Sequence, residues 1–597
     1  MPPSRVPYTG PRRRLVLAFD IGTTFSGVSY SILDPGQVPQ ILGIRRFPGQ
    51  ENNASDSKIP SILYYGKDGN VKAVGAEALL PHIRDEAEDN NWIKVEWFKL
   101  HLRPQAEVDA SRADVERLKV VSALPPTKAI IDVYSDFMKY LFECARTYIT
   151  ETHASGDLLW ASIQQHIDFV LSHPNGWGGH QQSKMREAAA KAGLVSQAAS
   201  PQIRFVTEGE ASVHFCISNG LATEAMQNGQ NVMVVDAGGG TVDINTYSIV
   251  AGKRVTMEEI AASECLYHGS AIVTSRAHGF LKRKLANSRF GNAQDIDEMR
   301  NQFDKTTKLV FRSADDMAYI KFGSMRDRDP SVGIRNGQLT LSGADVASMF
   351  EPSIIAIKEV VRRQLDGADS SVSTVFLVGG FAASPWLFSQ LKIYVENLYV
   401  KFARPDTHTN KAVAEGAVSF YLDGFVTSRV ARFTYGARCN IQYNPSDPEH
   451  LRRLNKVFIG KAGEPRVPDN FLIILNKGTR VSEKKEFSQN LVFDARNPLE
   501  LGKVQTDIIC YRGNSRNPRW LDVDPDTYSV LCRVVGDTSH VPHLPVDGPA
   551  GVFYRQSFRV ILAFGLTELK AYLSWDEDGV EKRCQAVPVY DGVDAVA

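Results

Sequence analysis

Apolar residues follow one rhythm up to about Gly424 and a different one beyond it. In the first stretch, short continuous apolar runs alternate with segments whose apolar residues recur every three or four positions. Buried strands produce the first pattern, and one packed face of a helix produces the second. Strands are predicted at Leu15–Phe19, Phe169–Ser172, Val232–Val235 and Val375–Val378. A helix is predicted from about Thr127 to Tyr148, with Ile130, Tyr134, Phe137, Leu141, Cys144 and Tyr148 on its buried face. A second is predicted from Gly343 to about Leu365, with Ser342 as its N-cap. Strands alternating with helices predict α/β architecture over residues 15–424.

After Val426 the runs become short and alternating or apolar: Phe471–Leu475, Ile508–Tyr511, Tyr528–Val535, Phe558–Phe564 and Leu569–Trp575. Gly, Pro, Asn and Asp separate them, and Asp576–Gly579 reads as a hairpin turn. Residues 425–597 are therefore expected to form a β-rich domain. Residues 1–14, rich in Pro and Arg and without an apolar core, read as a disordered basic tail rather than a secretory signal.

The chain carries one internal echo. Leu15–Ile32 reads strand, Asp-x-Gly-Thr-Thr, strand; Asn231–Val250 reads strand, Asp-x-Gly-Gly-Gly-Thr, strand. Two such hairpins far apart in sequence suggest a duplicated pair of lobes facing each other. Gly22 opens the first turn and lets main-chain N–H groups approach a phosphate, while Thr23 and Thr24 add hydroxyls. Asp20 would repel a phosphate unless a divalent cation stands between them, and Mg²⁺ suits that place. The second turn, Gly238, Gly239 and Gly240 followed by Thr241, has more N–H groups to wrap terminal phosphates, and Asp236 and Asp243 flank it. One hairpin alone is equally well explained as ordinary Asp and Gly turn chemistry.

A third segment tips the balance. The strand Val375–Val378 runs into Gly379-Gly380-Phe381, followed by a helix start marked by Ser384 and Pro385. Paired glycines allow the backbone to lie against a nucleoside. Competing chemistries lack their motifs: there is no G-x-x-x-x-G-K-[ST], H-E-x-x-H or G-x-S-x-G, and Asp243 stands where a dinucleotide fingerprint needs Gly.

Composition narrows the partners. The 68 basic and 68 acidic side chains cancel, so no overall field favours nucleic acid or an anionic membrane. No apolar run reaches the roughly 18 residues of a membrane span. The seven cysteines are scattered, with none at C-x-x-C spacing, which suits a reducing compartment, and the cytoplasm is the expected location.

Together the three motifs resemble those of the superfamily of actin, sugar kinases and 70-kDa heat-shock proteins. The closer similarity is to divergent members of the heat-shock protein 70 family that lack a typical C-terminal region. DIGTTFSGV resembles the family's first phosphate loop, DAGGGTVDI its second, and VGGFAASPWL its adenosine motif; KAVAEGAV (Lys411–Val418) is similar to a connecting helix. The resemblance implies an actin-like ATPase fold of two duplicated lobes over residues 15–424 that binds ATP or ADP. It further implies Mg²⁺ held through its waters by Asp20 and Asp236, Thr241 at the γ-phosphate, and a monovalent cation such as K⁺ beside Asp243. By the same resemblance Glu208 orients the attacking water or metal shell. Lys99 is the match for the catalytic lysine, with Lys94 as the alternative, and Pro174 and Arg186 match residues that relay nucleotide state. Lys308 stands where the family has a ring-stacking Arg, with Asp304 and Phe311 replacing its usual Glu and Ser; Lys stacks less well, so weakened base selectivity is expected.

The β-rich end is only faintly similar to the family's peptide-binding domain, through LKAYLSWDEDGVEKR, and an unrelated β-sandwich is the alternative. No acidic leucine-rich linker, helical lid or acidic tail motif is recognisable. The resulting expectation is a weakly ATP-hydrolysing, chaperone-like protein whose nucleotide state controls binding of unfolded or peptide-like clients, with co-chaperones as further partners. A nucleotide-gated scaffold without catalysis and a small-molecule kinase are the alternatives.

Overall fold

The structure is a computed structural model that describes residues 5–588 except 52–56, 105–122, 198–199, 221–229, 251–254, 369, 406–410, 483–484 and 565–567. The chain is mixed α/β and divides into two compact units. The first comprises Met1–Trp177 and Lys184–Val426, the second Gly178–Ser183 and Thr427–Ala597.

Two sheets of the first unit share one strand plan. In one, β1 (Arg14–Ile21) pairs antiparallel with β2 (Phe25–Leu33), whose far edge takes β3 (Leu42–Gly43) and β4 (Lys58–Pro60). On its other side β1 runs parallel to β5 (Ile167–His173), which runs parallel to β6 (Ile203–Thr207). In the second sheet, β7 (Asn231–Ala237) pairs antiparallel with β8 (Val242–Val250), and β8 antiparallel with β9 (Thr256–Leu266). β7 runs parallel to β10 (Val372–Val378), and β10 parallel to β11 (Lys401–Ala403). The orders β3-β2-β1-β5-β6 and β9-β8-β7-β10-β11 match strand for strand in sequence role and direction. The echo between the two hairpins is thus part of a repeated five-strand topology.

Every residue of β5 and β7 is buried, which is why their centres, Phe169–Leu171 and Val232–Val235, read as continuous apolar runs instead of alternating. Helix α1 (Ile130–Thr152) packs Tyr134, Phe137 and Leu141 into the core that holds Phe19 and Phe169. It begins three residues after its predicted start because Asp132 Oδ2 accepts a bond from Ala129 N at 2.7 Å, fixing the first turn there. Helix α2 (Glu208–Ser218) follows β6, and α3 (Ser270–Lys284) follows β9. Helix α4 (Gly343–Gly367) starts on a reciprocal capping box: Ser342 Oγ accepts from Asp345 N (3.1 Å), and Asp345 Oδ2 accepts from Ser342 N (3.3 Å). Helix α5 (Pro385–Glu396) is capped by Ser384, as expected.

One expectation is corrected. Residues 5–13, anticipated as disordered tail, are anchored to the first unit; residues 1–4 lie outside those described. Arg5 pairs with Asp423 at 2.7 Å, Tyr8 exchanges backbone bonds with Gly36 and Gln37, and Arg13 pairs with Asp34 at 2.7 Å. Arg5, Arg13 and Arg14 each find a carboxylate elsewhere in the chain, and Arg12 contacts His166.

The second unit holds two antiparallel sheets. One contains β12 (Thr434–Gln442), β13 (Pro465–Leu475), β15 (Lys503–Tyr511) and β16 (Tyr528–Asp537); the other contains β14 (Glu486–Ala495), β17 (Phe553–Phe564), β18 (Leu569–Glu577) and β19 (Val580–Arg583). Leu475, Ile508 and Val534 of one and Val560, Leu562 and Leu573 of the other share a core, the layout of a two-sheet sandwich. β18 and β19 are joined by Asp578 and Gly579, both at positive φ (54° and 80°), the twisted two-residue hairpin turn expected there. Among the described residues no helix is long and apolar enough to cross a membrane.

Candidate functional site

The turns that close the two equivalent hairpins meet each other. A Cβ placed on Gly239 would lie 2.2 Å from Thr24 Oγ1, and one on Gly240 would lie 2.2 Å from Thr23 Oγ1. Any side chain at either glycine would wedge the turns apart. Two serines brace the first turn: Ser61 Oγ donates to Gly22 O (2.8 Å) and Ser26 Oγ accepts from Gly22 N (3.2 Å). The second is held by Gly238 N donating to Thr241 O and by the start of α3, where Ser270 N and Ala271 N donate to Gly238 O and Gly239 O.

Both turns open on a cavity of about 760 Å³ within the first unit. Gly22, Thr23, Thr24, Gly238, Gly239, Gly240 and Thr241 line it, together with Gly379, Gly380 and Phe381 from the end of β10. Gly379 has φ +91°, and its Cβ would lie 2.3 Å from Asp236 Oδ1; around Gly380 there is open space. The carboxylates Asp20, Glu208, Asp236 and Asp304 also face the cavity, matched by Lys58, Lys99, Lys305 and Lys308.

The charges are largely arranged in pairs. Lys99, on the short 3₁₀ turn Phe98–Leu102, is buried against Glu208 at the start of α2 and lies 5.5 Å from the Trp177 ring centroid. Burial pushes the Glu208 carboxyl above its usual range, and Lys99 opposes that rise. Lys94 pairs with Glu96 (2.6 Å) and does not line the cavity, so of the two alternative lysines it is Lys99 that the fold brings to the turns. Asp236, at the end of β7, accepts from Ser212 Oγ at 2.5 Å. Burial pushes it up to about 7, a rise the Ser212 bond opposes and the neighbouring Glu208 charge reinforces. Asp243 stands opposite Asp236 on β8 but does not line the cavity; its carboxylate accepts from Asn175 N (2.6 Å), the residue after Pro174. Burial also raises Asp243, foremost among several causes.

At the other end of the cavity Lys308 is buried, its ammonium held by Asp304 and by Thr274 Oγ1 (3.0 Å). Burial pushes the Asp304 carboxyl up, but Lys308 and Thr274 outweigh this and hold it below its ordinary value. Phe311, expected beside the base, turns into the core, stacking on Phe350 (5.9 Å) and meeting Trp386 (5.2 Å). Arg186 lies over Phe205 and donates to the carbonyls of Ser200 and Ile203. Lys58 was not singled out by the sequence: its Nζ is 2.6 Å from Asp20 Oδ2. A lone lysine in SKIPSIL gives no signal, because its role depends on strand register.

The cavity fits a nucleotide and a hydrated divalent ion. The interlocked glycines form a cradle that a Cβ would fill, and Asp20 and Asp236 end equivalent strands beside it. Among the described residues no three His, Cys, Asp or Glu side chains converge as direct metal ligands.

Paired Gly–Thr turns over a repeated α/β strand plan are what the structure itself provides, and comparison with known proteins adds to it. No family model matches the chain. It is 23% identical over 502 residues to mouse "Heat shock 70 kDa protein 12A", covering 71% of each chain. It is 21% identical over 527 residues to human "Heat shock 70 kDa protein 12B", covering 73% of each. With the "Chaperone protein DnaK" of Stenotrophomonas maltophilia (strain R551-3) it shares 24% over 423 residues, 67% of this chain and 58% of that one. At family level these similarities support a chaperone-like ATPase. The chain is thus similar, at 21–24% identity, to 70-kDa heat-shock proteins of the 12A and 12B type and to a bacterial chaperone.

Proposed function

We propose that the first unit is an actin-like ATPase of two duplicated lobes, and that its cavity binds ATP with the phosphates at the facing turns and the nucleoside toward Gly379–Phe381. The observation that carries this reading is the interlock of Gly239 and Gly240 with Thr24 and Thr23. Turns packed so tightly have no room for side chains, which leaves the hydroxyls and those N–H groups the turns do not use themselves as the donors to an anion. Asp20 and Asp236 would hold Mg²⁺ through its waters, with Asp243 behind them beside a monovalent cation such as K⁺. When bound, the divalent ion supplies neutralisation of phosphate charge. Thr241 donates to the γ-phosphate. Glu208 orients the attacking water, and Lys99, buried beside it, stabilises charge on the transferring phosphoryl group.

The second unit is the client domain in this reading, a β-sandwich that takes unfolded or peptide-like segments according to nucleotide state, with co-chaperones as further partners. Turnover is weak in this reading. The test is ATP binding and hydrolysis by the full chain, with and without unfolded peptide, against an Asp236→Asn variant. Peptide-stimulated turnover that the variant loses supports the reading. Equal turnover in the two proteins removes hydrolysis from it, and no ATP binding overturns it.

A further inference from the structure

Strand register sets up a row of three residues across the first sheet. Asp20 on β1 faces Gly27 on β2, and Gly27 faces Lys58 on β4. Directly opposed residues project to the same side of a sheet, so Asp20 and Lys58 stand two strands apart, about 10 Å, on one face. Gly27 has no side chain between them. The Lys58 stem crosses that gap so closely that a Cβ on Gly27 would lie 3.1 Å from Lys58 Cγ. Its Nζ ends 2.6 Å from Asp20 Oδ2, with the side chains only 16% and 3% exposed, and both residues line the cavity beside the Gly–Thr turns.

The equivalent row of the second sheet is built differently. There Asp236 faces Asp243, which faces Cys265. The same topology thus supplies one carboxylate with a tethered cation and leaves the other facing a second carboxylate. An ammonium against a carboxylate at a phosphate site does two things: it removes the repulsion that the carboxylate would exert, and it places a compact positive charge within reach of the anion.

We propose that Lys58 is a resident counter-cation of Asp20, reaching it across Gly27, and that it lets this site hold nucleotide phosphates with only a modest dependence on divalent metal. The inference rests on the nucleotide reading above. The row Asp20–Gly27–Lys58 gives the amine one favourable partner when the cavity is empty and a second, the phosphate, when it is filled. Lys58→Met would keep the stem and remove the charge; Lys58→Arg would keep the charge.

Calorimetric titration of the full chain with ATP, in excess Mg²⁺ and in EDTA, tests this. The wild type is expected to bind in EDTA within about tenfold of its Mg²⁺ affinity, and Lys58→Met to lose at least about tenfold more on metal removal. Lys58→Arg is expected to behave as the wild type. A wild type that loses about a thousandfold in EDTA overturns the inference whether or not the methionine variant folds. Equal metal dependence in wild type and Lys58→Met overturns it as well, while leaving the nucleotide reading intact. No binding by the wild type in either condition overturns both.

Discussion

Gly379 and Gly380 are adjacent, yet alanine should do opposite things at the two positions. At Gly379 φ is +91°, and a Cβ would lie 2.3 Å from Asp236 Oδ1, 2.4 Å from Ala237 O and 2.8 Å from Ala237 C. Ordinary contact begins near 3.4 Å, so β7 and β10 would have to separate by about an ångström where they run parallel and buried. Two of the three atoms are backbone and cannot rotate away. The dihedral costs roughly 1–3 kcal/mol, and overpacking typically adds about 1–3 kcal/mol. Gly379→Ala should therefore destabilise the first unit by about 2–6 kcal/mol. Gly380 has helical dihedrals (φ −66°, ψ −34°) and nothing within 4 Å of its would-be Cβ. Gly380→Ala should leave stability within about 0.5 kcal/mol, but it puts a methyl group into the space proposed for the nucleoside. Urea unfolding read by hydrogen exchange at Val232–Asp236 isolates the first unit, which matters in a two-unit chain that need not unfold in one step. ATP titration of both variants completes the assay. A Gly379→Ala protein with unchanged protection refutes the packing argument, and a Gly380→Ala protein with unchanged ATP affinity refutes the nucleoside placement.

Lys99→Met strands Glu208 in a buried site and should cost about 3–5 kcal/mol; adding Glu208→Gln should recover most of this, as a double-mutant cycle in thermal unfolding would show. Ser342→Ala removes the cap of α4 and should cost about 1 kcal/mol, measurable in the same unfolding assay. Because the Lys308 ammonium is held by Asp304 and Thr274 and Phe311 is turned into the core, ATP and GTP should compete within about tenfold of each other in a displacement titration. The cavity lining is charge-balanced and its ion pairs are mostly buried, so ATP affinity should shift less than about threefold between roughly 50 and 300 mM salt.

What the sequence made legible was local chemistry. The two hairpins, the caps Ser342 and Ser384 and the turn at Asp578-Gly579 are each encoded within a few residues, because glycine freedom and side-chain capping act over that range. The strand plan of the first unit was visible only as an echo, since pairing partners such as β1 and β5 are separated by more than a hundred positions. Resemblance favoured Lys99 over Lys94, but composition could not separate them: both lie in one apolar-flanked stretch, and the left-handed Trp97 (φ +57°) and the 3₁₀ turn after it send Lys99 to Glu208. Arg5 and Asp423 are 418 residues apart, so composition around Arg5 could suggest only a free tail. Phe311 was misplaced for a similar reason, because its stacking on Phe350 joins an extended residue just past a short helical turn to helix α4, a contact that local pattern does not pair.

The same limit explains why Lys58 escaped notice, and it changes how the repeated sheets are to be read. Asp20 and Asp236 end corresponding strands, and motif logic treats them as twins. Their rows are unequal: Asp20 meets Gly27 and Lys58, whereas Asp236 meets Asp243 and Cys265. Burial and neighbouring negative charge drive the carboxyl groups of the second row upward, so that row has the greater need of an added cation. The first row has its cation supplied by the chain. Asp20 and Asp236 would be the residues to hold a divalent ion here, and Lys58 would already neutralise Asp20. Repetition of strand order fixes where the two acids stand; the third residue of each row decides what each acid can hold.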